Sequence, residues 1–155
     1  MPASPSTRAS LGVDLLGVVA RLNRLATQRT PLAVPWAQAR LLSTIEDQGP
    51  TRISELAALD HCSQPTMTMQ VRRLEDAGLV TRTPDPEDAR AVLIEITPEG
   101  VEMLRHVRAA RAGVIDPHIA ALDPADRQTL AEAVHVLRRL LDRTASSPAN
   151  KLTKE

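Results

Sequence analysis

The sequence predicts a mainly α-helical fold that carries one small β element of two or three strands. Three observations predict it. Apolar residues recur at three- and four-residue spacing through most of the chain, as they do on one face of a helix. Only the stretch from Leu79 to Ile96 has strand character, and a polar, proline-containing segment divides it. The pairs Thr97-Pro98 and Asp123-Pro124 each place a capping side chain before a proline, which marks a helix start.

The elements follow in order. Residues 1–9 are rich in Pro, Ser and Thr and are expected to be disordered, as is the tail 145–155. Leu11 to Thr30 reads as a helix, with Leu15, Val18, Val19, Leu22, Leu25 and Ala26 on one broad face. Pro31 and Pro35 bound a linker. A second helix runs from Trp36 to Asp47 with Ala39, Leu42 and Ile45 inward, and Gly49-Pro50 ends it. Ile53, Leu56, Ala57 and Leu59 fit a two-turn helix with Thr51 as its cap. After the tight connection Asp60-His61-Cys62, Ser63 caps a helix that tolerates Pro65 in its first turn, buries Met67, Val71 and Leu74, and stops at Gly78. Leu79–Arg82 and Val92–Ile96 read as strands, with Thr83–Ala91 as an extended loop between them. A long helix starts at Pro98 and weakens near Asp116-Pro117. The last helix shows an apolar face of Leu130, Val134, Leu137, Leu140 and Leu141.

Composition narrows the function. A chain of 155 residues with 43% hydrophobic side chains can bury one core. Nineteen basic residues balance nineteen acidic ones, so there is no general basic field. Trp36 is the only aromatic residue, which excludes stacking platforms for single-stranded nucleic acid. A single cysteine, Cys62, excludes an intrachain disulfide and a multi-cysteine zinc site. His61, His106, His118 and His135 form no pair at metal-binding spacing, so no metal or other cofactor is expected. There is no glycine-rich phosphate loop, metalloprotease helix or nucleophile elbow, and no enzyme is expected. No apolar run reaches the roughly 18 residues that span a membrane. The start lacks the basic flank and apolar core of a signal peptide, and the expected location is the cytoplasm.

A helix-turn-helix followed by a β wing is suited to duplex DNA. Opposite Met67, Val71 and Leu74, the helix after Ser63 shows Pro65, Thr68, Met69, Arg72, Arg73 and Asp76. Thr68 and Arg72 are four apart and can both reach base edges, with Arg72 able to pair bidentately with guanine. Ser63, Gln64 and Thr66 sit at the helix start, where backbone amides favour phosphate. Arg90 is the only basic residue in the loop after Arg82, and a lone arginine at a loop tip fits a narrow minor groove. Against this, such a polar face is also what a solvated helix shows. Residues 51–90 hold five Arg against seven Asp or Glu, so affinity must come from where the arginines point.

Three motifs occur in order: Val71-Arg72-Arg73-Leu74-Glu75-Asp76-Ala77-Gly78-Leu79-Val80, then Asp88-Ala89-Arg90, then Ile96-Thr97-Pro98-Glu99-Gly100. With Glu55-Leu56-Ala57 and Ser63–Thr68, they resemble the MarR family of bacterial transcription regulators, Ile96 replacing the usual leucine. The resemblance implies a winged helix-turn-helix over 35–97, between dimerisation segments 10–34 and 98–144. It implies a homodimer on a pseudo-palindrome, most often a repressor, with Arg90 in the minor groove and Asp88 orienting it. It also implies release by a small effector, often an anionic aromatic compound, in a cleft bordered here by Arg21, Trp36, Arg40 and His106. The alternatives are a winged-helix protein-interaction module without DNA binding, which suits the zero net charge, and a thiol-based redox sensor of the same fold using Cys62.

Overall fold

The computed structural model describes residues 5–31 and 33–145. The elements are α1 (Pro5–Arg29), α2 (Trp36–Gln48), β1 (Thr51–Arg52), α3 (Ile53–Leu59), α4 (Gln64–Asp76), β2 (Val80–Asp85), β3 (Asp88–Ile96), α5 (Pro98–Ala120) and α6 (Pro124–Ala145). The expected class is present, mainly helical with a three-stranded antiparallel sheet in the order β1-β3-β2. The chain forms two compact units, residues 1–114 and 115–155, which divide inside α5 between Gly113 and Pro117. Proline removes an intrahelical N–H at that point, but the helix continues through it rather than weakening there.

The core of the first unit is built where the periodicity places it. Leu41, Leu42 and Ile45 of α2 meet Leu56 and Ala57 of α3, and Met67, Val71 and Leu74 of α4. Leu79, Val80, Ile94 and Leu104 close it from the sheet and α5. Met67, Val71 and Leu74 have no solvent exposure, so the opposite face of α4 is fixed outward.

Both helix ends around α4 are closed by the same device. At its C-terminus the Leu79 amide bonds the Leu74 carbonyl at 2.9 Å and the Gly78 amide bonds Glu75 at 2.9 Å, with Gly78 at φ +72°. This is a Schellman end with its usual apolar pair, Leu74 and Leu79. The α3 end repeats it with His61 in the left-handed position (φ 51°), the Cys62 amide on the Ala57 carbonyl at 3.0 Å. The short connection makes α3 and α4 a helix-turn-helix.

Three further sequence expectations need correction. Residues 5–9 are helical, not part of a disordered tail, because Pro5 occupies the first turn of α1, where its missing N–H costs nothing; residues 1–4 and 146–155 lie outside the described residues. Thr51 is not the cap of α3. It lies in β1 opposite Ile94, its hydroxyl donating to the Gly49 carbonyl at 2.7 Å, and Arg52 takes the cap position. The Glu55 carboxylate accepts the Arg52 amide at 3.4 Å, half of a capping box. Finally, Thr83–Ala91 is not a long loop: β2 reaches Asp85, β3 begins at Asp88, and only Pro86 and Glu87 turn. Pro84 fits because β2 is an edge strand, where a residue without a ladder N–H is tolerated.

Candidate nucleic-acid interface

The expected cap of α4 is present. The Ser63 hydroxyl accepts the Thr66 amide at 3.4 Å and lies 2.8 Å from the Thr66 hydroxyl. Ser63, Gln64, Pro65, Thr66, Thr68, Met69, Arg72 and Arg73 are all exposed. Gln64, Pro65, Thr68, Met69 and Arg72 line one shallow, open depression along the helix. The Thr68 hydroxyl already donates to the Gln64 carbonyl at 2.8 Å, which leaves it free to accept and leaves its methyl available for apolar contact. A helix with this outward face and an apolar back has the shape that enters a major groove.

The structure sorts the five arginines of residues 51–90. Arg52 bonds Asp85 at 2.7 Å, and Arg82 holds both oxygens of Glu75 at 3.1 and 2.9 Å. Arg72, Arg73 and Arg90 have no carboxylate partner among the described residues; Arg73 meets only the Met69 sulfur, at 4.0 Å. Of the seven carboxylates, Asp60, Glu75 and Asp85 are bound in ion pairs, Asp60 to Arg40 of α2. Among the described residues, Glu55, Asp76, Glu87 and Asp88 form no ion pair and still outnumber the three arginines left on α4 and the wing by one, so the segment's balance stays slightly acidic. Attraction for a polyanionic ligand therefore rests on where Arg72, Arg73 and Arg90 point, not on the segment's net charge.

The wing hairpin turns tightly because Asp85 and Asp88 each accept a backbone amide two residues on. Asp85 Oδ1 takes the Glu87 amide at 2.9 Å, and Asp88 Oδ1 takes the Arg90 amide at 3.0 Å. Asp88 thus fixes the backbone of Arg90 and leaves its guanidinium free. Asp85 is buried, and the Glu87 amide, followed by the Arg52 guanidinium, holds its carboxyl below the usual carboxylate range. Stabilisation from a depressed carboxylate is complete above its unfolded value of about 3.9 and is lost as pH falls through the lower folded value. Thermal melts across acidic pH are expected to show a steeper loss for wild type than for Asp85→Asn. Equal acid limbs would contradict it.

Of the four nominated effector residues, Trp36 and Arg40 lie one turn apart on α2, Arg21 lies on α1 and His106 on α5. Arg40 is committed to Asp60, and His106 Nδ1 lies 2.9 Å from the Glu102 carbonyl. Arg21 borders an apolar depression with Val18, Leu22 and Leu25. Trp36 is joined instead by Arg111 of α5, whose guanidinium stacks 4.3 Å from the ring centroid. Arg111 Nη2 also donates to Asn23 Oδ1 at 2.9 Å, while its Nε is buried without a partner. Sequence reading missed Arg111 because its partners lie 75 and 88 positions away, beyond any local periodicity. Cys62 is half-buried against the core, and among the described residues no cluster of His, Cys, Asp or Glu could hold a metal.

A profile of the MarR family matches residues 34–92. The chain is 32% identical over 135 residues to an HTH-type transcriptional regulator of Mycobacterium bovis, a match that covers 86% of this chain and 94% of that protein. It is 28% identical over 101 residues to the HTH-type transcriptional repressor NicR of Pseudomonas putida, covering 65% of this chain and 62% of that one. Among solved structures, a transcriptional regulator of Thermotoga maritima superposes with a TM-score of 0.66 at 27% identity, over 93% of this chain and 99% of that one.

Proposed function

Since this chain belongs to the MarR family of DNA-binding transcriptional regulators, we propose that it works in the cytoplasm as a homodimeric repressor on a pseudo-palindromic operator. In this reading α4 enters the major groove. Gln64, Pro65, Thr68, Met69 and Arg72 face the bases, Ser63, Thr66 and Arg73 the phosphates. The wing, with Asp88 fixing its backbone, places Arg90 in the minor groove. The observation that carries it is the trio of arginines left without carboxylates on α4 and the wing. Similarity to a named repressor supports the sign of regulation. Footprinting on the duplex upstream of its own gene tests it: two protected half-sites about one helical turn apart are expected. Protection of a single half-site, or of none, contradicts it.

A second copy is needed to cover the apolar faces that the chain leaves open. In α1, Leu11, Val13 and Leu16 are each about 70% exposed, and Val18 57%. In α6, Leu130, Val134, Val136, Leu140 and Leu141 are exposed, and none of its described residues is buried. A helix with a long apolar face and nothing buried gains its stability from a partner. Light scattering is expected to give twice the chain mass; a monomer at working concentration would refute the dimer.

Release by a small aromatic carboxylate is the regulatory part of the reading. Arg111 supports it, with a buried unpartnered Nε beside the only aromatic ring in the chain. A benzoate panel is expected to raise the melting temperature of wild type, and Arg111→Gln to remove that rise. A rise that survives the substitution, or none with any benzoate, contradicts the site.

A further inference from the structure

The wing is a two-stranded ribbon at its outer end. β1 pairs only with Leu93 and Ile94 of β3, so among the described residues no strand pairs with β3 on that side from Asp88 to Val92. The β2–β3 ladder is irregular between Pro84 and Asp85, next to a proline that has no N–H to contribute. Two-stranded ribbons twist more than wider sheets and are marginal alone. The outer hairpin therefore needs a hold from outside itself to present Arg90 at one angle.

Among the described residues, one side-chain contact supplies that hold. Arg52 of β1, which is also the cap residue of α3, reaches Asp85 on the opposite edge strand, Nε at 2.7 Å and Nη2 at 2.5 Å from Oδ2. The other carboxylate oxygen of Asp85 takes the turn amide of Glu87. Among the described residues, no other side-chain hydrogen bond or ion pair joins residues 84–90 to an element outside the hairpin. Asp85 is a single buried anchor, with the turn on one oxygen and the helix-turn-helix on the other.

Resting on the DNA-binding reading above, we propose that Arg52 is a positioning residue for the wing: through Asp85 it fixes the hairpin against the start of α3 and so sets where Arg90 meets the minor groove. Arg52 does this without touching DNA, because its charge is spent on Asp85. The pair ties the outer hairpin to the start of α3, which leads into α4 through the closed turn at His61, while Arg82 and Glu75 join the base of β2 to α4 directly.

Gel-shift titration on the upstream duplex, well below the melting temperature and with circular dichroism to confirm folding, tests this with a double-mutant cycle. Arg52→Gln and Asp85→Asn are each expected to weaken binding by about three- to tenfold and to leave the salt slope unchanged. Arg52→Lys is expected to recover most of the loss. In an Arg90→Ala background, Arg52→Gln is expected to cost nothing further, because the contact it positions is gone. An equal loss in that background overturns the proposal, since Arg52 then acts independently of the wing. If Asp85→Asn binds like wild type while Arg52→Gln is weak and has a shallower salt slope, Arg52 is a phosphate contact and the proposal is wrong. A wild type that does not shift the duplex at all defeats the DNA-binding reading itself, which is a different outcome from either of these.

Discussion

Gly100→Ala is expected to lower the thermal unfolding midpoint by about 3–10 °C, from about 1–3 kcal/mol of overpacking. A Cβ at position 100 would lie 2.2 Å from the Leu79 carbonyl oxygen and 2.7 Å from Ile96 Cγ1. The side chain of Ile96 can turn aside, but the carbonyl cannot. It accepts the Thr97 amide at 3.1 Å, and Leu79 itself closes the Schellman end of α4. Thr97 adds a second tie: its hydroxyl donates to the Gly78 carbonyl at 2.7 Å and accepts the Gly100 amide at 3.1 Å. The start of α5 is thereby fastened to the end of α4, and only a residue without a side chain allows the approach. Gly113→Ala is the internal control. It lies on the same helix with nothing within 4 Å of its Cβ position, and alanine there is expected to be neutral or stabilising through helix propensity. Midpoints that move alike in the two variants would contradict the packing account.

Arg72→Ala is expected to weaken operator binding by about five- to 150-fold, equivalent to about 1–3 kcal/mol, and to relax base preference at one position of each half-site. Arg72 projects from a face held outward by the fully buried Met67, Val71 and Leu74, and it has no carboxylate to leave before it meets a base. Arg90→Ala is expected to weaken binding with less change in base preference. Arg82→Ala distinguishes this account from one in which any nearby positive charge helps. Arg82 is held by both oxygens of Glu75, so its loss is expected to leave the salt slope unchanged, while loss of Arg73 lowers it by about one. Equal effects at Arg72 and Arg82 in competition gel shifts would contradict the division into free and committed arginines.

Local signals in the sequence were sufficient for most of the helices. Ser63, Thr97 and Asp123 cap the helices they precede, and Gly78 ends α4 in the left-handed conformation. Met67, Val71 and Leu74 share one buried stripe because a 3.6-residue period leaves no other arrangement that hides all three. The wing was misread for an equally physical reason. Thr83 to Asp88 carries two prolines and three acids, poor strand formers by themselves, yet Thr83–Asp85 is strand because β3 supplies the partner, and only Pro86 and Glu87 are left to turn. The ion pairs were illegible. Arg52 and Asp85 lie 33 residues apart, and Glu75 and Arg82 are seven apart across the Schellman turn, so neither pair follows a helical or strand spacing. That is why net charge misleads: equal counts of acids and bases say nothing about which arginines the fold has already spent.

The measurement that bears most directly on the central claim is a salt-dependent gel shift with the intact protein and the duplex upstream of its own gene. A discrete complex that weakens steeply as salt rises, and that non-specific duplex competes poorly, is the expected result. No shift of any upstream fragment at micromolar protein and low salt would contradict the claim that α4 and the wing read DNA.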